Sequence, residues 1–199
     1  VCGRGGVALE GSIADTPDAQ WVEYRGAWLP TSEEYGPGNV GSEGEFSCFE
    51  HSPRGMLFAA SAYTGQLTNP AYWEGDLQIF AGQHAEAHRT EAQELFTTVF
   101  SEADTALGGF RLVNYDGQTA QIDMAVTSFD GSETSRTSVV LNMVWAQGDW
   151  KIDATDPELG ISLDPLPDLM GISTGRPSGH CPDRADRVHQ KLWVYGETR

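Results

Sequence analysis

Apolar and polar side chains alternate with a period of two through Gln118–Phe129, where Ala120, Ile122, Met124 and Val126 interleave with Gln121, Asp123 and Thr127. That period belongs to a strand with one buried and one wet face. Thr134–Ala146 repeats it with Val139, Leu141, Met143 and Trp145 on one side, and the β-branched and aromatic content suits a pleated surface. Asp116-Gly117 and Asp130-Gly131 tolerate positive φ in hairpin turns, and Gln147-Gly148-Asp149 leads into a short strand, Trp150 to Ala154. The stretch from Gly109 to Asp153 is therefore predicted to be three or four antiparallel strands in a curled sheet. Such a sheet needs its apolar face covered, and the residues before Gly109 are expected to supply helices for that.

Helical spacing appears where expected. Ser52-Pro53 is a good start, a serine N-cap followed by proline at the first helical position. Leu57, Ala60, Thr64 and Leu67 follow at helical intervals until Asn69-Pro70. A short second helix is expected around Tyr72, Trp73, Leu77, Ile79 and Phe80. A long third one is expected over Gln83 to Asp104, with Leu95, Phe96, Val99 and Phe100 as its stripe and only its second half deeply buried. Upstream, Val1 to Ile13 reads as a glycine-rich arm, Trp21 to Leu29 as a hairpin or strip over the main sheet, and Thr31 to Glu45 as a surface loop. Downstream, the proline- and glycine-rich stretch carrying Leu159, Ile161, Leu163, Leu166, Leu169, Met170 and Ile172 is too apolar for a free linker and reads as a wrapping segment. The expected organisation is an arm and strip over residues 1–51, an α+β domain over 52–155, and a wrapping segment with tail over 156–199.

Charge narrows the partners. The net charge of -17 argues against nucleic acid, which needs a basic face to release counterions. Only the stretch from Arg176 onward is basic, with five basic against three acidic residues, and a tail lying on an acidic body accounts for it. No apolar run is long enough to span a membrane. The chain starts at Val1, so an upstream segment is expected. Cys2, Cys48 and Cys181 show no metal spacing. A lysine-poor, acidic chain with scattered cysteines is compatible with export, in which two of the three could pair.

Few residues point to chemistry. His84 and His88 stand four apart, but the sequence is H-A-E-A-H and not the zinc-protease H-E-x-x-H, so a solvated, charge-laced helix face is the favoured reading and no metal set is predicted. His51 as an acid/base would need a nucleophile nearby, and Ser52 is better used as the N-cap. Asp123 becomes a pocket residue only if a concave pocket lies on its face of the sheet, opposite Ile122, Met124 and Val126; Asp153 also sits in a strand. Tyr63, Tyr72, Trp73, Trp145 and Trp150 read as core and rim aromatics. A pocket, if present, would be lined by Tyr63, Trp73, Asp123 and Trp145. No phosphate loop, nucleotide fingerprint, nucleophile elbow or calcium loop is present, and no cofactor is expected.

The order of helices, long hairpin and closing strand with Gly148-Asp149-Trp150-Lys151 resembles the cone-shaped fold of nuclear transport factor 2 and its polyketide-cyclase-like relatives, over roughly Ser52 to Ala154. The set Cys2-Gly3, the Trp21 strip, Tyr35-Gly36-Pro37-Gly38, Cys48 through Gly55, Gly148 through Lys151 and Leu166-Pro167-Asp168-Leu169 is similar to a group of actinobacterial proteins of unassigned function. These are often encoded on integrative conjugative elements and carry an N-terminal membrane anchor and an exported domain. The resemblance covers about Cys2 to Gly175 and implies a Cys2–Cys48 disulfide; Cys181 has no counterpart in it. It also implies an extracytoplasmic, membrane-tethered, non-enzymatic module that binds other proteins of a surface or conjugation complex, docking through the open sheet face or through Leu159, Ile161, Leu166 and Leu169. The rival reading is a small-molecule binder or lyase/isomerase-like enzyme using the cone pocket.

Overall fold

The computed structural model describes residues 6–13, 15–41, 45–73, 78–100 and 103–166, and the backbone of 172–173 and 195–196. The predicted strands form as four long antiparallel neighbours: β6 (Asp104–Tyr115), β7 (Thr119–Phe129), β8 (Thr134–Ala146) and β9 (Asp149–Asp153). They follow β1 (Gln20–Tyr24), β2 (Ala27–Thr31), β3 (Asn39–Val40), β4 (Phe46–Ser47) and β5 (Phe80–Ala81), and precede β10 (Ile161–Pro165), β11 (Ile172–Ser173) and β12 (Tyr195–Gly196). The main sheet runs β11-β12-β6-β7-β8-β9-β5. Strand β8 has a divided edge: Met143 to Ala146 pair with β9, while Thr137 to Leu141 pair with β10. Between the two, Asn142 N–H donates to Gly160 O at 2.8 Å.

The expected architecture, a curled cone of sheet covered by N-terminal helices, is not what forms. Strand residues outnumber helical ones, 44% against 23%, the sheet is not curled, and only two α-helices are present among the described residues, α1 (Pro53–Leu67) and α2 (Ala85–Phe100). Where a second helix was expected, the described residues form a 3₁₀ turn at Pro70–Tyr72 and, at Phe80–Ala81, strand β5; residues 74–77 lie outside the described residues. The third helix, expected over Gln83 to Asp104, is α2 and ends at Phe100, before Gly108 and Gly109. Strand β6 has already begun at Asp104 and passes through those glycines with a register shift between Leu107 and Gly109, an irregularity that glycine accommodates.

The physical reason for the different architecture lies in α1. All of its residues except Arg54 are buried, so it has no wet face and must be enclosed on every side. The main sheet covers one side, through Ile122, Met124, Val139, Leu141 and Met143. The β1–β2 hairpin covers another, with Leu29 seated against Gly65; a Cβ on Gly65 would stand 2.2 Å from the Leu29 Cδ2. The strip carrying Trp21 thus lies over the helix and not over the sheet. Strands supply the second cover, so the sheet has no need to wrap around its helix.

Helix α2 packs through His88, Ala92, Phe96 and Phe100, a buried stripe at intervals of four. The stripe reaches the first turns, where only alanine and solvated charge were expected, and Val99 faces solvent.

Candidate functional site

The four residues expected to line a pocket are not brought together. Tyr63 sits on α1, fully buried, and its hydroxyl donates to Trp150 O at 2.6 Å. Burial, with Asp149 adding, pushes its phenol well above the usual tyrosine value. Trp73 is buried and its Nε1 donates to Leu67 O at 3.1 Å. Asp123 pairs in register with Arg111 and Val140, on the sheet face opposite Ile122 and Met124. Its carboxylate accepts from Arg111 Nη2 at 2.8 Å and Ser138 Oγ at 2.6 Å. Trp145 lies at the far end of the sheet, half-buried and face to face with His51, ring centroids 3.9 Å apart and planes 3° apart. Two of the four are core, and the other two lie on different surfaces.

The end of the sheet that holds Trp145 is a dense junction. Trp150 contacts His51, Trp145 and Tyr115 edge-on or tilted, with centroids 5.4 to 5.7 Å away, and its Nε1 donates to Glu50 O at 3.1 Å. His51 Nε2 faces Gly117 O; a carbonyl only accepts, so that nitrogen carries the proton. Ser52 caps α1, accepting from Gly55 N at 3.1 Å and donating to Glu50 Oε2 at 2.6 Å. His51 and Ser52 are each engaged elsewhere, and they form no base–nucleophile pair. The N-terminal arm closes over this junction. Val7 bridges His51 in parallel, Ala8 N donates to His51 O at 2.8 Å, and Tyr115 Oη donates to Ala8 O at 2.6 Å.

Asp149 fastens the same region across a hundred residues of chain. Its carboxylate accepts from Cys48 N at 2.9 Å and Phe49 N at 3.0 Å. Neither link was apparent from the sequence, where Asp149 reads only as a turn residue. Cys48 is disulfide-bonded; Cys2 and Cys181 lie outside the described residues.

The residues expected to dock a partner are largely occupied. Ile161 is buried and Leu159 packs against the core, because β10 pairs with β8 in a register that turns Ile161 and Leu163 to the side of Leu141 and Val139. Leu166 is half-buried and its N–H donates to Arg136 O at 2.9 Å. Leu169 lies outside the described residues. On the face of the sheet away from α1, Arg111, Asp123 and the buried Ser138 are linked across three strands, between apolar Ala125 and Val140; Gln121 Nε2 donates to Asn142 Oδ1 at 2.8 Å, and Arg136 and Phe129 are exposed. Away from it, a polar cleft of about 300 Å³ is lined by Thr16, Asp18, Ser32, Glu34, Tyr35 and Arg54. Arg54 Nη1 donates to Tyr35 Oη at 2.7 Å, and that bond is the main reason its guanidinium is held above its usual value.

These features define a domain that is mostly sheet, built around one enclosed helix, with a disulfide-bonded Cys48 beside the junction. A family model described as Domain of unknown function (DUF8175) matches residues 1–174, and the chain belongs to that family. No curated protein and no solved structure matches the chain.

Proposed function

We propose that the domain is a non-enzymatic, extracytoplasmic binding module that docks another protein on the outer face of β6, β7 and β8, as part of a membrane-tethered cell-surface or conjugation assembly. The observation that supports docking over catalysis is the use of the aromatic candidates for packing, while the outer face carries an ordered row of polar side chains. The Arg111–Asp123 pair is mostly exposed on the arginine side, at 60%, so its contribution to folding is about 0–1 kcal/mol. Its value lies in presenting fixed donors and acceptors to a partner. Disulfide bonding at Cys48 supports the compartment, and Cys2 as its partner is carried over from the resemblance. The membrane tether and the conjugation setting are carried over from the resemblance.

The test is a photo-crosslinking side chain placed at Asn142 or Arg136 on the sheet face, and at Glu94 on the exposed side of α2, in cells that make the protein in its native envelope. A discrete product from the sheet positions alone is expected. Equal products from Glu94, or none from the sheet, overturn the docking face. A peptide map without reductant is expected to show Cys2 linked to Cys48, and three free thiols would overturn the extracytoplasmic setting. A second reading, binding of a small polar molecule, is favoured only by the cleft at Arg54. Saturable loss of a ligand on Arg54→Ala would establish it.

A further inference from the structure

Arg54 is the one residue of α1 that is not buried, and it stands in the first turn of the helix, at the wall of the polar cleft of about 300 Å³. Stability does not ask for a guanidinium there, because the N-terminal end of a helix carries the positive half of its dipole and favours carboxylates. Yet the side chain is held in one place. Its Nη1 donates to Tyr35 Oη at 2.7 Å, and its Cζ lies 5.4 Å from the centre of the Tyr35 ring. That ring stacks on Phe58 of α1 at 5.8 Å, and the Tyr35 backbone is fixed too, its N–H donating to Ser32 Oγ at 3.2 Å and its carbonyl accepting from Glu50 N at 3.0 Å. A guanidinium offers five N–H donors in a planar fork. No carboxylate among the described residues stands within ion-pair distance of Arg54, so the edge that carries Nε and Nη2 is open to a ligand. Two exposed carboxylates, Glu34 and Asp18, line the same cleft.

We propose that this cleft binds the zwitterionic head of a small α-amino acid, its carboxylate on the Arg54 fork and its ammonium on Glu34 and Asp18. A carboxylate fits the Nε and Nη2 edge bidentately, and such charge-assisted pairs are stronger than neutral hydrogen bonds. Tyr35 Oη accepts from Arg54 and keeps its own proton to donate to the same carboxylate. The charges on the walls decide against simpler ions. A lone anion meets Glu34, Asp18 and the net charge of -17, while a lone cation meets Arg54. A molecule that carries both charges on neighbouring atoms is opposed by neither. The cleft is at the small end of ligand sites, which begin at about 300 Å³, and that suits a small amino acid. This inference rests on the second reading above, a small polar molecule at Arg54, and is independent of the docking face.

The experiment titrates the full chain, disulfide intact, with L-alanine and with its two halves, propionate, which lacks the amino group, and ethylamine, which lacks the carboxylate. Binding is read by NMR shifts. Weak but saturable binding of L-alanine is expected, with shifts at the Arg54 side chain and at Glu34. Each half is expected to bind about tenfold more weakly or worse, since it forfeits the hydrogen bonds of one charged group. Arg54→Ala is expected to weaken L-alanine binding by about the same factor. Asp18→Asn with Glu34→Gln is expected to weaken L-alanine while propionate binding is retained or strengthened, and Glu94→Gln on α2 is expected to change nothing. Propionate binding as tightly as L-alanine, with both lost in Arg54→Ala, overturns the zwitterion and leaves the small-molecule reading standing. No saturable shift with any of the three overturns both. Should Arg54→Ala disturb the fold, the double variant decides, because it alters only exposed side chains: unchanged affinity for L-alanine there overturns the proposal.

Discussion

Asp149→Asn is the most direct test of how the domain is held together. The carboxylate is 6% exposed and takes the N–H groups of Cys48 and Phe49 on its two oxygens, at 2.9 and 3.0 Å. In the asparagine variant one oxygen becomes an NH2 group, so one of those backbone donors faces another donor. Leaving a buried donor unsatisfied costs about 1–3 kcal/mol. Phe49 is 1% exposed and warrants the upper part of that range, while Cys48 is half-buried and warrants the lower. Asp149→Ala orphans both, for a loss of about 3 kcal/mol; Asp149→Asn is expected to retain about half of the lost stability. With a urea slope of about 2 kcal/mol/M, the alanine variant lowers the midpoint by about 1.5 M. Urea unfolding by tryptophan fluorescence reads this directly, since Trp150 follows Asp149 and packs at the same junction. Asp116→Asn, a fully exposed turn carboxylate, is the control and is expected to lose much less. An Asp149→Asn midpoint equal to wild type, with unchanged slope, refutes the claim that these two bonds fasten the segment before α1 to β9.

Three further outcomes follow from the same structure. Gly55→Ala is expected to destabilise by about 1–3 kcal/mol despite the better helix propensity of alanine, because the new Cβ would stand 2.0 Å from Glu50 O, which already accepts from Trp150 Nε1; a rise in thermal midpoint would refute it. Leu29→Ala is expected to cost about 3 kcal/mol, and Gly65→Ala is expected to be tolerated better in that background than in wild type, since the Cβ clash is with Leu29 itself; additive effects in the double-mutant cycle would show that hairpin and helix do not meet there. Burial, then Asp116 and Glu50, push the Tyr115 phenol up to about 12 from a usual value of 10.0. Its folded-state value is raised, so the stability it contributes is whole below pH 10 and is lost as pH climbs from there toward 12; Tyr115→Phe is expected to flatten the fall of stability over that interval, and an unchanged slope would place the phenol in solvent.

Local structure was legible where one rule acted alone. The alternation in Gln118–Phe129 and Thr134–Ala146 gave strands because one face of each is buried by α1, and Ser52-Pro53 gave the helix start because an N-cap needs only three neighbouring residues. The candidate site was far less legible. Tyr63 finds its partner Trp150 eighty-seven residues downstream, and Asp149 finds its partners about a hundred residues upstream. His88 looked solvated because its sequence neighbours are charged, yet the stripe it shares with Ala92, Phe96 and Phe100 is set by how α2 lies on α1 and β5.

The sequence by itself determined that Gln118–Phe129 and Thr134–Ala146 are strands, that a helix starts at Ser52-Pro53, that turns fall at Asp116-Gly117 and Asp130-Gly131, and that the chain is strongly acidic. Those are properties of short windows, fixed by backbone sterics and by the period of burial. Tertiary structure alone decided what encloses α1, which edge β10 shares with β9, and which polar groups end without a partner. The reason is physical: a helix buried on nearly every side demands cover without specifying its source, and the choice between wrapping one sheet around it and laying a hairpin across it rests on close approach at Gly65 and Leu29, residues far apart in the chain.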